Sequence, residues 1–313
     1  MNTLCAPIRG ASVPVLFAKR TAERAVRSLL REAEAAPKPG LVDRLGSGSH
    51  ADMDIGLFRR SATALAPYFQ RMVVATSASA LRQLGIEAEA AMLQATSGIN
   101  THRGAIWTIG LLCAAAGSLR RAATYEVDAP DALALCDEAA RIAAAIVALD
   151  QPATGAGYGA AKSPTHGQKA RADYGLRSAR DEALAGFPSI RARALELARS
   201  LGSHLMDDDE RVIMILLAVM AEADDTCIVA RGGMQALLDA RSRAAHVLAA
   251  GGPSSASGSE LYALMRQEFL ESRLSPGGSA DLCAATLFLV DLESTSCHQH
   301  PCPRRLETLG LRS

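Results

Sequence analysis

Alanine and leucine dominate this chain, β-branched runs are scarce, and apolar residues return every three or four positions along nearly its whole length. That spacing lays one face of a helix on a core, whereas a half-buried strand needs alternation in twos. The reading is therefore all-α: a single-domain, multi-helix array with its active site built from the loops between helices. Helices are predicted over residues 19–35, 57–84, 86–95, 103–118, 128–149, 169–184, 190–201, 208–221, 234–248, 259–272 and 279–292.

With 313 residues, 49% of them hydrophobic, the chain can bury one large core. No repeat at solenoid periods and no charge run divides it. One domain is placed over 21–292, between an extension at 1–20 and a tail at 293–313 read as disordered. The 33 Lys+Arg against 33 Asp+Glu argue against a broad footprint for nucleic acid or anionic lipid, and 4% aromatics leave few stacking platforms. All but four basic residues (Lys19, Lys38, Lys162, Lys169) are arginines, which suit bidentate phosphate contacts. The longest apolar uncharged run, residues 104–119, is 16 residues with three glycines, short of the roughly 18–20 that span a bilayer. Seven cysteines without a CxxC pair indicate neither a disulfide framework nor a zinc ribbon. No signal peptide is read, and a reducing cytoplasm is expected.

Two breaks, 152–164 and 251–258 (GGPSSASG), read as plain surface loops. Three others are chemically loaded, and function on helical scaffolds concentrates in such loops. In 37–54 (PKPGLVDRLGSGSHADMD), Lys38, Asp43, His50, Asp52 and Asp54 crowd before a long helix. Asp54 suits an ordinary N-cap. His50 with Asp52 and Asp54 also suits Mg²⁺ coordination or a general base. In 96–104 (TSGINTHRG), Asn100, Thr101, His102, Arg103 and Gly104 open an apolar helix whose unpaired N–H groups attract phosphate. The plainer reading is a Thr101 cap with a solvated Arg103.

The third loaded break is 224–233 (DDTCIVARGG). Asp207, Asp208, Asp209 and Glu210 lie at a predicted helix start, where the macrodipole accounts for them. Glu222, Asp224 and Asp225 lie at that helix's end, where carboxylates call for a cation; a metal or Arg231 is the expected partner. Further on, Thr165, His166 and Gly167 precede a helix carrying Arg171, Arg177, Arg180, Asp181 and Glu182. Arg177 and Asp181 suit a one-turn surface pair. The tail motif at 297–302 (CHQHPC) holds soft ligands but is read mainly as tail.

Taken together, these motifs resemble the triphosphoribosyl-dephospho-coenzyme A synthase family. The matching stretches are 34–44 (EAAPKPGLVDR), 50–61 (HADMDIGLFRRS), 92–117 (MLQATSGINTHRGAIWTIGLLCAAAG), 165–167 with 175–188 (GLRSARDEALAGFP), 224–233 and 275–282 (SPGGSADL). They occur in order across roughly residues 25–290. The family's NTHKG pattern has Lys where this chain has Arg103, which keeps the charge and changes the donor geometry. Residues 224–227 (DDTC) resemble the malonate decarboxylase branch more than the citrate lyase branch.

The resemblance implies an enzyme joining ATP to 3′-dephospho-coenzyme A. The 2′-hydroxyl of the acceptor ribose attacks C1′ of ATP, adenine leaves and the triphosphate stays on the product, which a second transferase then attaches to an acyl-carrier protein. This is glycosyl transfer through an oxocarbenium-like centre, for which carboxylates are the expected tools. His50, Asp52 and Asp54 are the implied catalytic residues. Lys38, Gly40, Asp43, Asn100, Thr101, His102, Arg103, Gly104, His166, Gly167, Arg180, Glu182 and Arg231 are the implied substrate-binding residues. Asp52, Asp54, Asp224 and Asp225 would share Mg²⁺ on the triphosphate. No nucleic-acid or membrane partner is expected, and a homo-oligomer is left open. A Mg²⁺-dependent helical ADP-ribosyl hydrolase and a non-catalytic helical scaffold are the alternatives. Water as acceptor would distinguish the first, and indifference to ATP the second.

Overall fold

The computed structural model describes residues 13–123, 130–149, 166–202 and 206–294. The 152–164 loop and the Cys/His motif at 297–302 lie outside the described residues, as do most of the expected extension and tail. Among the described residues, twelve α-helices and one π-turn follow one another without a strand. The helices are α1 (Val15–Glu34), α2 (Ile55–Val74), α3 (Ala78–Ala95), α4 (Arg103–Ala122), α5 (Ala132–Leu149) and α6 (His166–Tyr174). They continue with α7 (Ala179–Leu184), α8 (Leu195–Ser200), α9 (Asp208–Met220), α10 (Thr226–Ala249), α11 (Ala256–Glu271) and α12 (Gly277–Glu293). The π-turn Ile190–Ala194 leads into α8. None of the described helices is long and apolar enough to cross a membrane.

The core is built around α4, α9 and α12, whose residues 105–106 and 108–117, 212–220, and 282–290 are buried almost without interruption. A helix apolar all round belongs inside a bundle. By contrast α1 buries Ala18, Ala22, Ala25, Leu29 and Ala33, a single stripe, and lies along α2 and α12. Small residues let these helices approach closely. A Cβ at Gly117 of α4 would lie 1.7 Å from the Val73 carbonyl oxygen at the end of α2, so only glycine fits.

Three stretches differ from the sequence reading. The helix expected over 57–84 breaks after Val74, because Ser77 caps a new helix by accepting from the Ala80 N–H at 3.2 Å. That new helix, α3, runs through Gly85 to Ala95. The helix expected over 169–184 divides at Gly175, which has φ +69°, and restarts with a capping box between Ser178 and Asp181. Residues 226–233, expected as loop, are the opening turns of α10, kinked at Gly233 (φ +76°). Arg231 therefore projects from a helix.

Candidate active site

The loop from Ala35 to Asp54 is strapped onto the segment that enters α12. Gly40 (φ +63°) packs so that a Cβ would lie 2.0 Å from the Leu274 carbonyl oxygen. Ser49 Oγ donates to the Phe269 carbonyl at 3.2 Å, and His50 Nε2 lies 2.9 Å from Ser275 Oγ. Asp43 is buried and shapes the loop from within. Its Oδ2 accepts from the Lys38 N–H at 2.9 Å, and its Oδ1 accepts from Leu45 N–H at 2.7 Å and Gly46 N–H at 3.1 Å. Lys38 is also buried; its ammonium donates to Glu32 Oε1 at 2.8 Å and to the Glu32 carbonyl at 2.5 Å. The charge expected for phosphate is thus already paired, with a carboxylate that sequence reasoning missed. Arg231 donates to the carbonyls of Ser49 (3.2 Å) and Arg273 (2.9 Å) and lies 3.3 Å from His50 Nδ1. Burial and Arg231 push the His50 pKa down, while Asp52 opposes them. Asp52 and Asp54 are exposed. Asp54 is the cap of α2, accepting from the Leu57 N–H at 2.8 Å.

At the start of α4, Asn100 Oδ1 accepts from the Arg103 N–H at 3.1 Å, and Arg103 reaches back to Glu89 at 2.6 Å on the surface. Thr101 is not the cap. Its hydroxyl donates to Ser61 Oγ at 2.7 Å, and Ser61 Oγ lies 2.6 Å from Nδ1 of the buried His102. Ser61 thus ties Thr101 to the ring, and its oxygen meets either tautomer, as donor to a bare Nδ1 or as acceptor from Nδ1–H. Nε2 has no hydrogen-bond partner among the described residues. Burial, helped by Lys38, lowers the His102 pKa to about 3, so the ring is neutral.

The first turns of α4, α10 and α12 converge. Asp225 caps α10 through Oδ1, which accepts from the N–H groups of Cys227 (3.0 Å) and Ile228 (3.2 Å). Its Oδ2 accepts from the Ser279 N–H (2.7 Å) and hydroxyl (2.8 Å) in α12. Asp281, also in α12, faces α4: it accepts from the Ala105 N–H, and a Cβ at Gly104 would lie 2.0 Å from its Oδ2. The cleft at this junction is lined by Thr108, Arg177, Glu182, Asp224, Asp225 and Asp281, among others.

The side chains that meet Asp224 are Arg241 and Arg177 rather than Arg231. Asp224 Oδ1 is held by Arg241, and Oδ2 accepts from the Arg177 N–H at 2.9 Å with the Arg177 side chain at 3.4 Å. Arg177 also approaches Glu182 at 3.6 Å, so it belongs to the cleft, and Asp181 pairs instead with Arg171 at 2.6 Å. Glu182 is buried and accepts from the Ser189 N–H at 2.7 Å; burial raises its pKa against the Ser189 and Arg177 contributions. Burial likewise raises that of Asp225, against its four donors. Arg180 is partly buried on α7. His166 and Gly167 open α6, and their side chains lie outside the described residues.

The four acidic residues expected to share Mg²⁺ are not gathered into a cage. Asp54, Asp224 and Asp225 are committed to caps and arginine, and among the described residues no group of three His, Cys, Asp or Glu side chains is placed to hold a metal ion. A triphosphate brings its own oxygens to Mg²⁺, which then needs one or two carboxylates at most.

Sequence reasoning also missed Ser61, Arg241, Ser275, Ser279 and Asp281. Ser275, Ser279 and Asp281 lie in SPGGSADL, a stretch that carries the family resemblance, but no local pattern singled out their chemistry.

Comparison with known proteins places the same residues in a family. The model of the family described as ATP:dephospho-CoA triphosphoribosyl transferase matches residues 18–300. A relative from Azotobacter vinelandii, named a probable 2-(5''-triphosphoribosyl)-3'-dephosphocoenzyme-A synthase, is 41% identical over 88% of this chain and 92% of its own length. A Pseudomonas paraeruginosa protein of the same name is 43% identical over 86% and 89%. One from Salmonella typhi, named as a first such synthase, is 41% identical over 84% and 87%.

Proposed function

Because this chain belongs to the ATP:dephospho-CoA triphosphoribosyl transferase family, we propose that it joins ATP to 3′-dephospho-coenzyme A and releases adenine. The observation that carries this reading is the convergence of three helix N-termini on a cleft lined by carboxyl groups and Arg177. Each N-terminus brings a partial positive charge to the cleft, contributing about 0.3–2 kcal/mol toward an anion, while Asp225 and Asp281 accept from several of the N–H groups there. Glycines at 104, 277 and 278 let the turns pack closely, with Asp281, Cys227 and Asp225 side chains against them. A triphosphate has the charge and length to engage more than one of them.

In this reading the exposed Arg103 and Arg231 approach the phosphates from the rim, with Arg180 beside the cleft. Lys38, Gly40 and Asp43 act by holding the 35–54 loop in place, and Asn100, Thr101 and Gly104 by forming the first turn of α4. His102 offers its unpartnered Nε2 to a substrate hydrogen-bonding group. Asp52, next to His50, accepts the proton of the attacking 2′-hydroxyl, and Asp54 fixes the turn that presents it. Mg²⁺ enters with the triphosphate. Asp224 to Cys227 support assignment of the product to the acyl carrier of malonate decarboxylase, with citrate lyase as the alternative.

Purified protein incubated with ATP, Mg²⁺ and 3′-dephospho-coenzyme A tests the reading by chromatography of free adenine. Adenine formed only with the acceptor present is the expected result. Adenine formed equally without it means a hydrolase, and none means a scaffold. Supplying the downstream transferase with either apo-carrier then separates the malonate and citrate assignments.

A further inference from the structure

Breaking the bond between C1′ and the base requires more than a stabilised ribosyl centre. The departing adenine carries the electron pair of that bond and needs a proton on its ring, so the site needs an acid as well as a base. Four carboxyl side chains line the cleft, and hydrogen bonding separates them. Asp224 has one oxygen held by Arg241 and the other by the Arg177 backbone and side chain. Asp225 has both oxygens filled by four donors. Glu182 is held by the Ser189 N–H and faces Arg177. These three serve as fixed anions or structural clamps.

Asp281 differs from them. Among the described residues its carboxyl receives one backbone N–H, from Ala105, and no arginine or lysine pairs with it. It points at the first turn of α4, where Gly104 alone makes room. Burial raises its pKa well above the usual carboxylate range, and the nearby Glu32 and Asp225 add to the effect. A carboxyl with so few donors is poorly stabilised as an anion, which favours the protonated form and an O–H to give.

Resting on the transferase reading above, we propose that Asp281 is the acid that protonates the leaving adenine. As the C1′–N9 bond breaks, its electron pair passes into the purine and the Asp281 proton moves to a ring nitrogen. The acceptor 2′-hydroxyl oxygen forms the new bond to C1′ and gives up its own proton, and Asp281 recovers a proton from solvent. The net change is ATP plus alcohol to product plus neutral adenine. The close approach at Gly104 is the positioning device, because any Cβ there would displace the acid.

The experiment compares ATP with 7-methyladenosine 5′-triphosphate, whose base departs neutral without being protonated. Wild-type protein must first release adenine from ATP in an acceptor-dependent way, and failure there removes the transferase reading before Asp281 is tested. Asp281→Asn is then expected to slow release from ATP by about 10²–10⁴-fold, the usual worth of a general acid. With the methylated substrate, after subtraction of spontaneous depurination, it is expected to stay within about tenfold of wild type. Should that variant fail to fold, Gly104→Ala, which displaces the acid without removing it, is expected to show the same selective defect. Equal losses on both substrates, a wild-type enzyme inert toward the methylated one, or unchanged activity of Asp281→Asn on ATP would each overturn the proposal.

Discussion

Lys38→Met removes the ammonium while keeping most of the side chain's volume, so its effect isolates the buried charge. The Lys38 and Glu32 side chains are 1% and 6% exposed, so neither charge has water to fall back on. The variant leaves the Glu32 carboxylate buried and uncompensated, with the Asp281 carboxyl nearby. Breaking a buried pair by deleting one partner costs about 3–5 kcal/mol. At this chain length about 2–4 °C of Tm accompanies each kcal/mol, so a fall of about 6–20 °C is expected. The Arg103–Glu89 pair provides the control. Its side chains are 48% and 38% exposed, and Arg103→Met is expected to change stability by about 0–1 kcal/mol. Guanidinium unfolding with unchanged m measures both. The double variant Glu32→Gln with Lys38→Met should regain much of the loss, since no lone charge remains. A Lys38→Met variant as stable as Arg103→Met would refute the reasoning and return Lys38 to a role on the substrate.

Three more outcomes are expected from the same structure. His102 titrates at about 3 when folded and near 6.5 when unfolded, so the unfolded chain binds the extra proton between those values. Its contribution to stability is complete above about pH 6.5 and is lost on acidification toward about pH 3, at up to about 1.4 kcal/mol per pH unit. His102→Gln should therefore lose about 2 kcal/mol less than wild type between pH 7 and pH 5, and identical unfolding curves at the two pH values would contradict this. Asp52→Asn should abolish adenine release at unchanged Tm, whereas full activity would remove Asp52 from the mechanism. Gly117→Ala drives a Cβ into the Val73 carbonyl and should lower stability by about 1–3 kcal/mol or more, read by thermal circular dichroism.

Local chemistry was legible where it acted locally. Asp54 looked like an N-cap and is one, whereas the Ser178–Asp181 box that opens α7 was passed over by a helix read straight through it. Helical periodicity revealed α1 by its single buried stripe, and long apolar runs revealed α4, α9 and α12. It misjudged 57–84, because apolar residues on either side of 75–77 keep helical spacing while Ser77 starts a new turn. Residues 226–233 were read as loop because two glycines end the segment, yet Asp225 caps it into a helix. The site itself was only half legible. Arg241 answers Asp224 from nearly three turns beyond the expected Arg231, and Glu32 answers Lys38 from the preceding helix. Asp281 gave no signal, since one acid in an apolar helix looks like its exposed edge. Only the glycine opposite, at position 104, shows where it points.

The central claim is that the polyphosphate of ATP binds where α4, α10 and α12 begin. Hydrogen–deuterium exchange with and without Mg²⁺ and ATP tests it directly, because a ligand seated on these first turns slows the exchange of their backbone N–H groups. The account predicts slowed exchange in peptides covering residues 103–108, 226–231 and 277–282 together. Protection confined to other surfaces, such as the apolar cleft of Phe17, Ala116, Leu119 and Ala134, would contradict it.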